Sequence, residues 1–193
     1  MANRPTQTIP APDEDLCLAF ADTRYWRGTA APTDELKNAD DLARWVATVA
    51  RVPATWQRLA RARGVFERSI DLRETLHRCF SATAAELSPD QQDLMVLDAA
   101  LAEAPPRQCV GIGGWVVGEP RVSAAALLAP VLWSAADLLL GKQLNRVRQC
   151  ANPECGWLFL DNSKSGNRRW CSMSACGNRA KAHRHYLRQK SGA

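Results

Sequence analysis

The stretch Cys150–Arg179, CANPECGWLFLDNSKSGNRRWCSMSACGNR, decides how the C-terminal end of the chain folds. It holds four cysteines in two equal pairs, Cys150 with Cys155 and Cys171 with Cys176; each pair encloses four residues, and fifteen separate the pairs. Four thiolates can close a tetrahedral shell around Zn2+ with Zn–S bonds of about 2.3 Å, and a shell closed by protein ligands leaves no position for a substrate. Asn152-Pro153-Glu154-Cys155-Gly156 is turn chemistry and places the first pair on a tight knuckle. Trp157–Leu160 reads as a short strand, Asp161–Ser163 and Ser165–Asn167 as loop, and Arg168–Cys171 as the returning partner strand. Ser172 is the expected N-cap of a helix from Met173 to Gln189, with Cys176 in its first turn. Knuckle, hairpin and helix, with ligands from the first and last, make a treble-clef-like zinc finger with four cysteine ligands.

Other uses of four cysteines fit less well. Two disulfides would suit an exported protein, but the start MANRPTQTIPAPDED lacks the apolar core of an export signal, and a cytoplasmic location is expected. A redox pair would show C-x-x-C spacing. Catalytic zinc usually takes three protein ligands and a water, with imidazole or carboxylate among them; His183 and His185 read instead as solvated or phosphate-facing. The cofactor expected is therefore structural Zn2+ on Cys150, Cys155, Cys171 and Cys176. The other cysteines, Cys17, Cys79 and Cys109, sit in apolar settings and read as small buried hydrophobes.

The run Trp170-Cys171-Ser172-Met173, followed by Cys176-Gly177-Asn178-Arg179 and Lys181, resembles the CGNR zinc finger, a bacterial C-terminal module named for that tetrapeptide. Arg148, the strand Trp157–Asp161 and Arg169 fit the same pattern, so the resemblance covers about the last 45 residues. It implies nucleic-acid binding and an upstream ABATE domain, described as a stress-induced transcription regulator. That upstream family is expected to carry an Asn-Thr step after its first apolar run, where this chain has Asp22-Thr23, a departure.

Charge is unevenly distributed. From Arg146 onward ten basic residues face two acids, a net +8, which leaves −3 for the preceding part of a chain whose total is +5. A basic module on a mildly acidic body is the electrostatic pattern of a nucleic-acid tether, against the plainer alternative of a solvated charged helix. Arg179, Lys181, Arg184 and Arg188 are the expected phosphate contacts on the helix. Lys164, Arg168 and Arg169 form the second wall on the hairpin, and Asn178 reaches a base edge or caps a backbone group. DNA is favoured over RNA; the alternative use of the finger is as a protein-interaction adaptor that docks an acidic partner through its basic residues.

Upstream, residues 1–14 are rich in Pro and Thr and are expected to lack fixed structure. Leu16–Phe20 fits a buried strand or a first helical turn. Tyr25 and Trp26 beside Arg24 and Arg27 read as a loop packed on the core; the alternative is a pocket for a small-molecule effector. Helices are expected from Ala39 (stripe Leu42, Trp45, Val46, Val49), from Pro53 to about Phe80 with Gly64 as its weak point, and from Ser88 as N-cap with Pro89 at N1 and Gln91 at N3. Cys109–Gly118 reads as a β-hairpin; it lacks G-x-G-x-x-G and any Gly-Lys-Ser/Thr ending, so no phosphate loop is assigned. Ser123–Leu140 is the most apolar helix, the expected core element, closed by Gly141; no run reaches the ~20 apolar residues that span a bilayer, so no membrane association is expected.

With three histidines and no Ser-His-Asp set or H-E-x-x-H, no catalytic constellation emerges, and the chain is not expected to be an enzyme. The expected organisation is a mainly α N-terminal domain with a small β-hairpin (α+β) over 1–145, followed by the zinc finger over 146–193.

Overall fold

A computed structural model of the chain describes residues 7–109 and 114–182. The architecture is mainly helical, with three small antiparallel strand groups, and one apolar core runs from Ile9 to Leu160.

At the centre of the core is α1 (Leu16–Ala21), so apolar that Leu16, Cys17, Leu18, Phe20 and Ala21 are all buried. The open choice at Leu16–Phe20 thus resolves to helix. Six residues give a helix few internal hydrogen bonds, and no side chain caps its start. Ser134 makes up part of the deficit from a distance, accepting from the Cys17 N–H at 3.1 Å and donating to the Glu14 carbonyl at 3.2 Å.

α2 (Ala39–Thr48) begins at Asn38, whose side-chain oxygen accepts from the Asp40 and Asp41 N–H groups at 2.9 and 3.0 Å, with both acids at the positive end of the helix. Leu42, Trp45 and Val46 face inward, and the Trp45 ring lies 5.0 Å from that of Phe20. The expected segment from Pro53 is broken. A short α3 (Ala54–Gln57) runs into a 3-10 turn at Arg58–Arg61, and left-handed Gly64 (φ 75°) resets the chain for α4 (Val65–Ala84). α5 (Gln91–Glu103) starts two residues later than the Ser88 reading: Asp90, in extended backbone, is the N-cap and its carboxylate accepts from Gln92 N–H at 2.8 Å.

The expected hairpin exists as β4 (Gln108–Cys109) and β5 (Trp115–Val117), and it gains a third strand. β1 (Gln7–Ile9) pairs antiparallel with β5, Ile9 opposite Trp115, so part of the segment expected to lack structure is a strand that buries Ile9. A Cβ on Gly114 would meet the Ile9 carbonyl at 2.3 Å, so this glycine serves close backbone approach. Residues 110–113 of the hairpin lie outside the described residues.

The Ser123–Leu140 segment is two helices, α6 (Ala124–Leu127), capped by Ser123, and α7 (Ala129–Leu140), closed by Gly141. Pro130 lacks an N–H and its ring would strike the carbonyl four residues back, so the helix restarts at Leu128 (φ −94°, ψ 14°). Every residue from Ala124 to Ala135 is buried, as expected of the core element.

A 3-10 turn at Leu144–Arg146 leads into β6 (Val147–Gln149), which pairs antiparallel with β7 (Leu158–Leu160) in the register Val147–Leu160, Arg148–Phe159, Gln149–Leu158. This corrects the finger's expected hairpin: the partner of β7 lies upstream of the first cysteine, and Arg168–Cys171 is not a strand. The reason is burial. Val147, Leu158 and Leu160 join the main core against α4 and α1, whereas Arg168 and Arg169 are exposed, and the latter's segment keeps one ladder-like bond, from Ala151 N–H to the Arg169 carbonyl at 2.8 Å.

α4 also carries the buried charges. Arg73, 1% exposed, reaches both Asp34 oxygens at 2.7 Å and Glu74 at 2.9 Å, clamping the β2 (Arg24–Tyr25) and β3 (Thr33–Asp34) ribbon to the helix. Arg73→Ala strands the Asp34 carboxylate, which is itself about one-third exposed, and is expected to lower stability by about 2–3 kcal/mol in urea unfolding.

Candidate metal centre

The sulfurs of Cys150, Cys155, Cys171 and Cys176 lie within 4.8 Å of one another, and Cys171 Sγ stands 3.7 Å from both Cys155 Sγ and Cys176 Sγ. The edge of a tetrahedron whose centre-to-vertex distance is about 2.3 Å is about 3.8 Å, so the spacing is that of a zinc ion held by four sulfurs. Local structure places each ligand. Cys150 directly follows β6 and donates its N–H to Trp157 O at 2.8 Å; Cys155 N–H donates to Asn152 O at 2.9 Å across the knuckle. Asn152 Oδ1 accepts from Glu154 N–H at 3.1 Å, and its amide nitrogen stands 3.7 Å from Cys176 Sγ. Ser172 is the N-cap as read from the sequence, accepting from Ala175 N–H at 3.1 Å. The turn it opens is a π-turn, Met173–Gly177, continuing as helix through 178–182, and this wider turn carries Cys176 inward.

Trp26, Trp157 and Trp170 pack around the cysteines, of which only Cys171 is not fully buried. Burial pushes the Cys155 thiol up to about 12, so a proton stays on that sulfur until a dication displaces it. An all-thiolate, closed and shielded site fits structural Zn2+, which supplies the bonds that tie the knuckle to the helix start. Structural zinc is the assignment.

The knuckle rests on the upstream body. Arg27 N–H donates to Cys155 O at 3.3 Å and Gly28 N–H to Glu154 O at 3.2 Å. A Cβ on Gly28 would meet Pro153 O at 2.0 Å, so only glycine allows this approach. Asp22 Oδ1, on a residue 3% exposed, accepts from Leu158 N–H at 2.9 Å. His77 Nε2 lies 3.0 Å from Gly156 O; burial pushes its pKa down, so the neutral ring donates there. Glu74 holds Arg27 at 2.6 Å and fixes the loop.

A CGNR zinc finger model matches residues 146–189, and residues 14–142 match the ABATE model, whose description is "Putative stress-induced transcription regulator". The chain belongs to the ABATE family. No curated protein matches it significantly. In this ABATE protein Tyr25, Trp26 and Arg27 pack against the CGNR finger: the Tyr25 ring lies 6.2 Å from Trp157, and Trp26 is part of the shield around the cysteines. The body side of this interface escaped sequence reading because Asp22–Gly28 and His77 lie far along the chain from the cysteines; the local signal was the aromatic pair followed by Arg27-Gly28.

The basic residues divide into two groups. Arg168 lies over the Phe159 ring at 4.4 Å and donates to the Trp170 carbonyl at 2.9 Å and to the Cys171 carbonyl, while its N–H donates to buried Asp161 at 2.8 Å. Arg179 lies over the Trp26 ring at 4.6 Å and 4.0 Å from Glu154. Arg168 holds the finger's own parts together, and Arg179 ties the finger to the body. Lys164, Arg169, Asn178 and Lys181 are exposed, and their charged members have no carboxylate partner among the described residues, although Arg169 leans 5.5 Å over Trp170. Arg184 and Arg188 lie outside the described residues.

One zinc per chain is expected by elemental analysis. Because β6 and β7 belong to the main core, chelation is expected to lower the melting temperature of the whole chain, not of the finger alone, and Cys171→Ser to reproduce the loss.

Burial pushes Asp22 up to about 8, against the Leu158 N–H and the Arg27 charge, which pull it down. A carboxyl raised in the folded state contributes stability fully present below about pH 4 and lost as pH rises to about 8. Asp22→Asn keeps the acceptor without the charge. It is expected to stabilise the protein at pH 8 by on the order of 1–3 kcal/mol and to have little effect at pH 4, as read by urea unfolding at the two pH values.

Proposed function

We propose that the protein is a cytoplasmic transcription regulator that acts by binding, not catalysis, and contacts nucleic acid, DNA in preference to RNA, through its zinc finger. The observation that carries this reading is the pair of segments meeting at Cys171. The loop 161–170 presents Lys164 and Arg169, and the helix beyond the π-turn presents Asn178 and Lys181, all exposed in a module of net charge +8.

In this reading, phosphates are met by Lys164, Arg169 and Lys181, with Arg184 and Arg188 further along the chain. Arg168 and Arg179, stacked on Phe159 and Trp26, act as positioning residues that set the loop and the helix start. Such contacts give affinity that falls steeply with salt and carry no sequence information alone. Asn178, beside the helix start, is the residue placed to read a base edge. The family description supplies the regulatory part, including its link to stress.

The test is fluorescence anisotropy of zinc-loaded protein against DNA and RNA over a salt series. Arg169→Ala and Lys181→Ala are each expected to weaken DNA binding several-fold and to reduce the slope of log K against log salt by about 1. No binding by folded, zinc-loaded protein at low salt would overturn the reading, and tighter RNA binding would reassign the target.

A further inference from the structure

Between α5 and α7 the core leaves a slot of about 310 Å3. Leu94, Leu97 and Leu101 form one wall and Leu132, Leu139 and Leu140 the other. Asp98 is the charged residue of the lining, on the exposed flank of α5. Sharing Thr83, Pro89 and Leu144 with it is a wider vestibule of about 620 Å3, where the charged residues are Lys142, Arg148 and Glu86.

Three features point to a ligand. The slot is more than a packing defect: its volume lies at the lower end of small-molecule sites, and apolar cavities far smaller take up apolar molecules. The apolar surface continues to the rim, with Leu140 90% exposed at the end of α7 and Leu87 65% exposed in the vestibule. The vestibule has cations to spare. Arg148 uses Nη1 on the carbonyls of Asn145 and Val147, at 2.7 and 2.9 Å, and neither it nor Lys142 has a carboxylate partner among the described residues.

We propose that slot and vestibule together bind a medium-chain aliphatic carboxylate, its chain between α5 and α7 and its carboxylate between Lys142 and Arg148. The ends fit the chemistry: leucines exclude water from the chain, and a half-buried guanidinium with a neighbouring ammonium receives the anion. Leu144, which lines both spaces, belongs to the Leu144–Arg146 turn, and Arg146 donates to the Asp161 carbonyl of the finger loop at 2.9 Å. The site therefore lies against the element that joins body to finger.

Calorimetry of the zinc-loaded full chain with decanoate, decanol and decylamine, each below its aggregation concentration, tests the assignment without nucleic acid, so it stands or falls apart from the regulatory reading. Saturable decanoate binding at one site per chain is expected, at least ~5-fold tighter than decanol and decylamine. Lys142→Gln should weaken it several-fold, and Ala136→Phe, which fills the slot, should abolish it; if that variant melts lower than the parent without ligand, Leu139→Phe replaces it. No decanoate binding by the parent protein would overturn the proposal, as would binding undiminished in a folded slot-filling variant. Equal affinity for decanol, or preference for decylamine at Asp98 and Glu86, would overturn the carboxylate assignment.

Discussion

The strand pair β6–β7 belongs to two structures at once. Its inward residues Val147, Leu158 and Leu160 are part of the main core, and the turn between its strands carries Cys150 and Cys155. The zinc site can close only when the helix start bearing Cys176 is brought to a knuckle that the core already holds. Small zinc fingers owe their folding energy to the metal, because they bury too little apolar surface alone. Here burial against α1 and α4 shares that task, and finger and body stabilise each other.

The contact is polar as well as apolar. Backbone groups of the knuckle that a free finger would leave to water are met by the body: Glu154 and Cys155 carbonyls by Gly28 and Arg27, the Gly156 carbonyl by His77, the Leu158 N–H by Asp22. Buried backbone groups need such partners. The cost falls on Asp22, an acid held where its charge is poorly solvated. Behind this layer, Arg73 and Arg27 converge on Glu74, and the loop that meets the knuckle inherits the rigidity of α4.

Much of the metal site was legible because its logic is local. Cysteine spacing, the Asn152–Gly156 turn and the Ser172 cap each act within a few residues, and each stands where the sequence reading put it. Strand pairing is not local. Leu158–Leu160 announced a strand, but whether Val147–Gln149 or Arg168–Cys171 would pair with it depended on which segment could bury a side chain in a core formed by distant helices. The same holds for β1, whose partner β5 lies more than a hundred residues away. The helix errors have nearer causes: Pro130 resets the long apolar helix, and Asp90 displaces Ser88 as the cap of α5. Among the arginines, sequence could count charges but not assign them. Arg168 and Arg179 are drawn into the fold by Phe159 and Trp26, rings whose positions depend on distant packing.

By itself the sequence determined the ligand set, the metal, the mainly helical composition and the excess of positive charge at one end, since these follow from residue type and short-range spacing. Tertiary structure alone decided which strand completes the finger, that the body seals the zinc site with Trp26 and Gly28, and which of the described cations stand clear of carboxylates. Those outcomes depend on which surfaces meet across long sequence separations, and on the cost of leaving an apolar side chain or a backbone polar group unpartnered where they do.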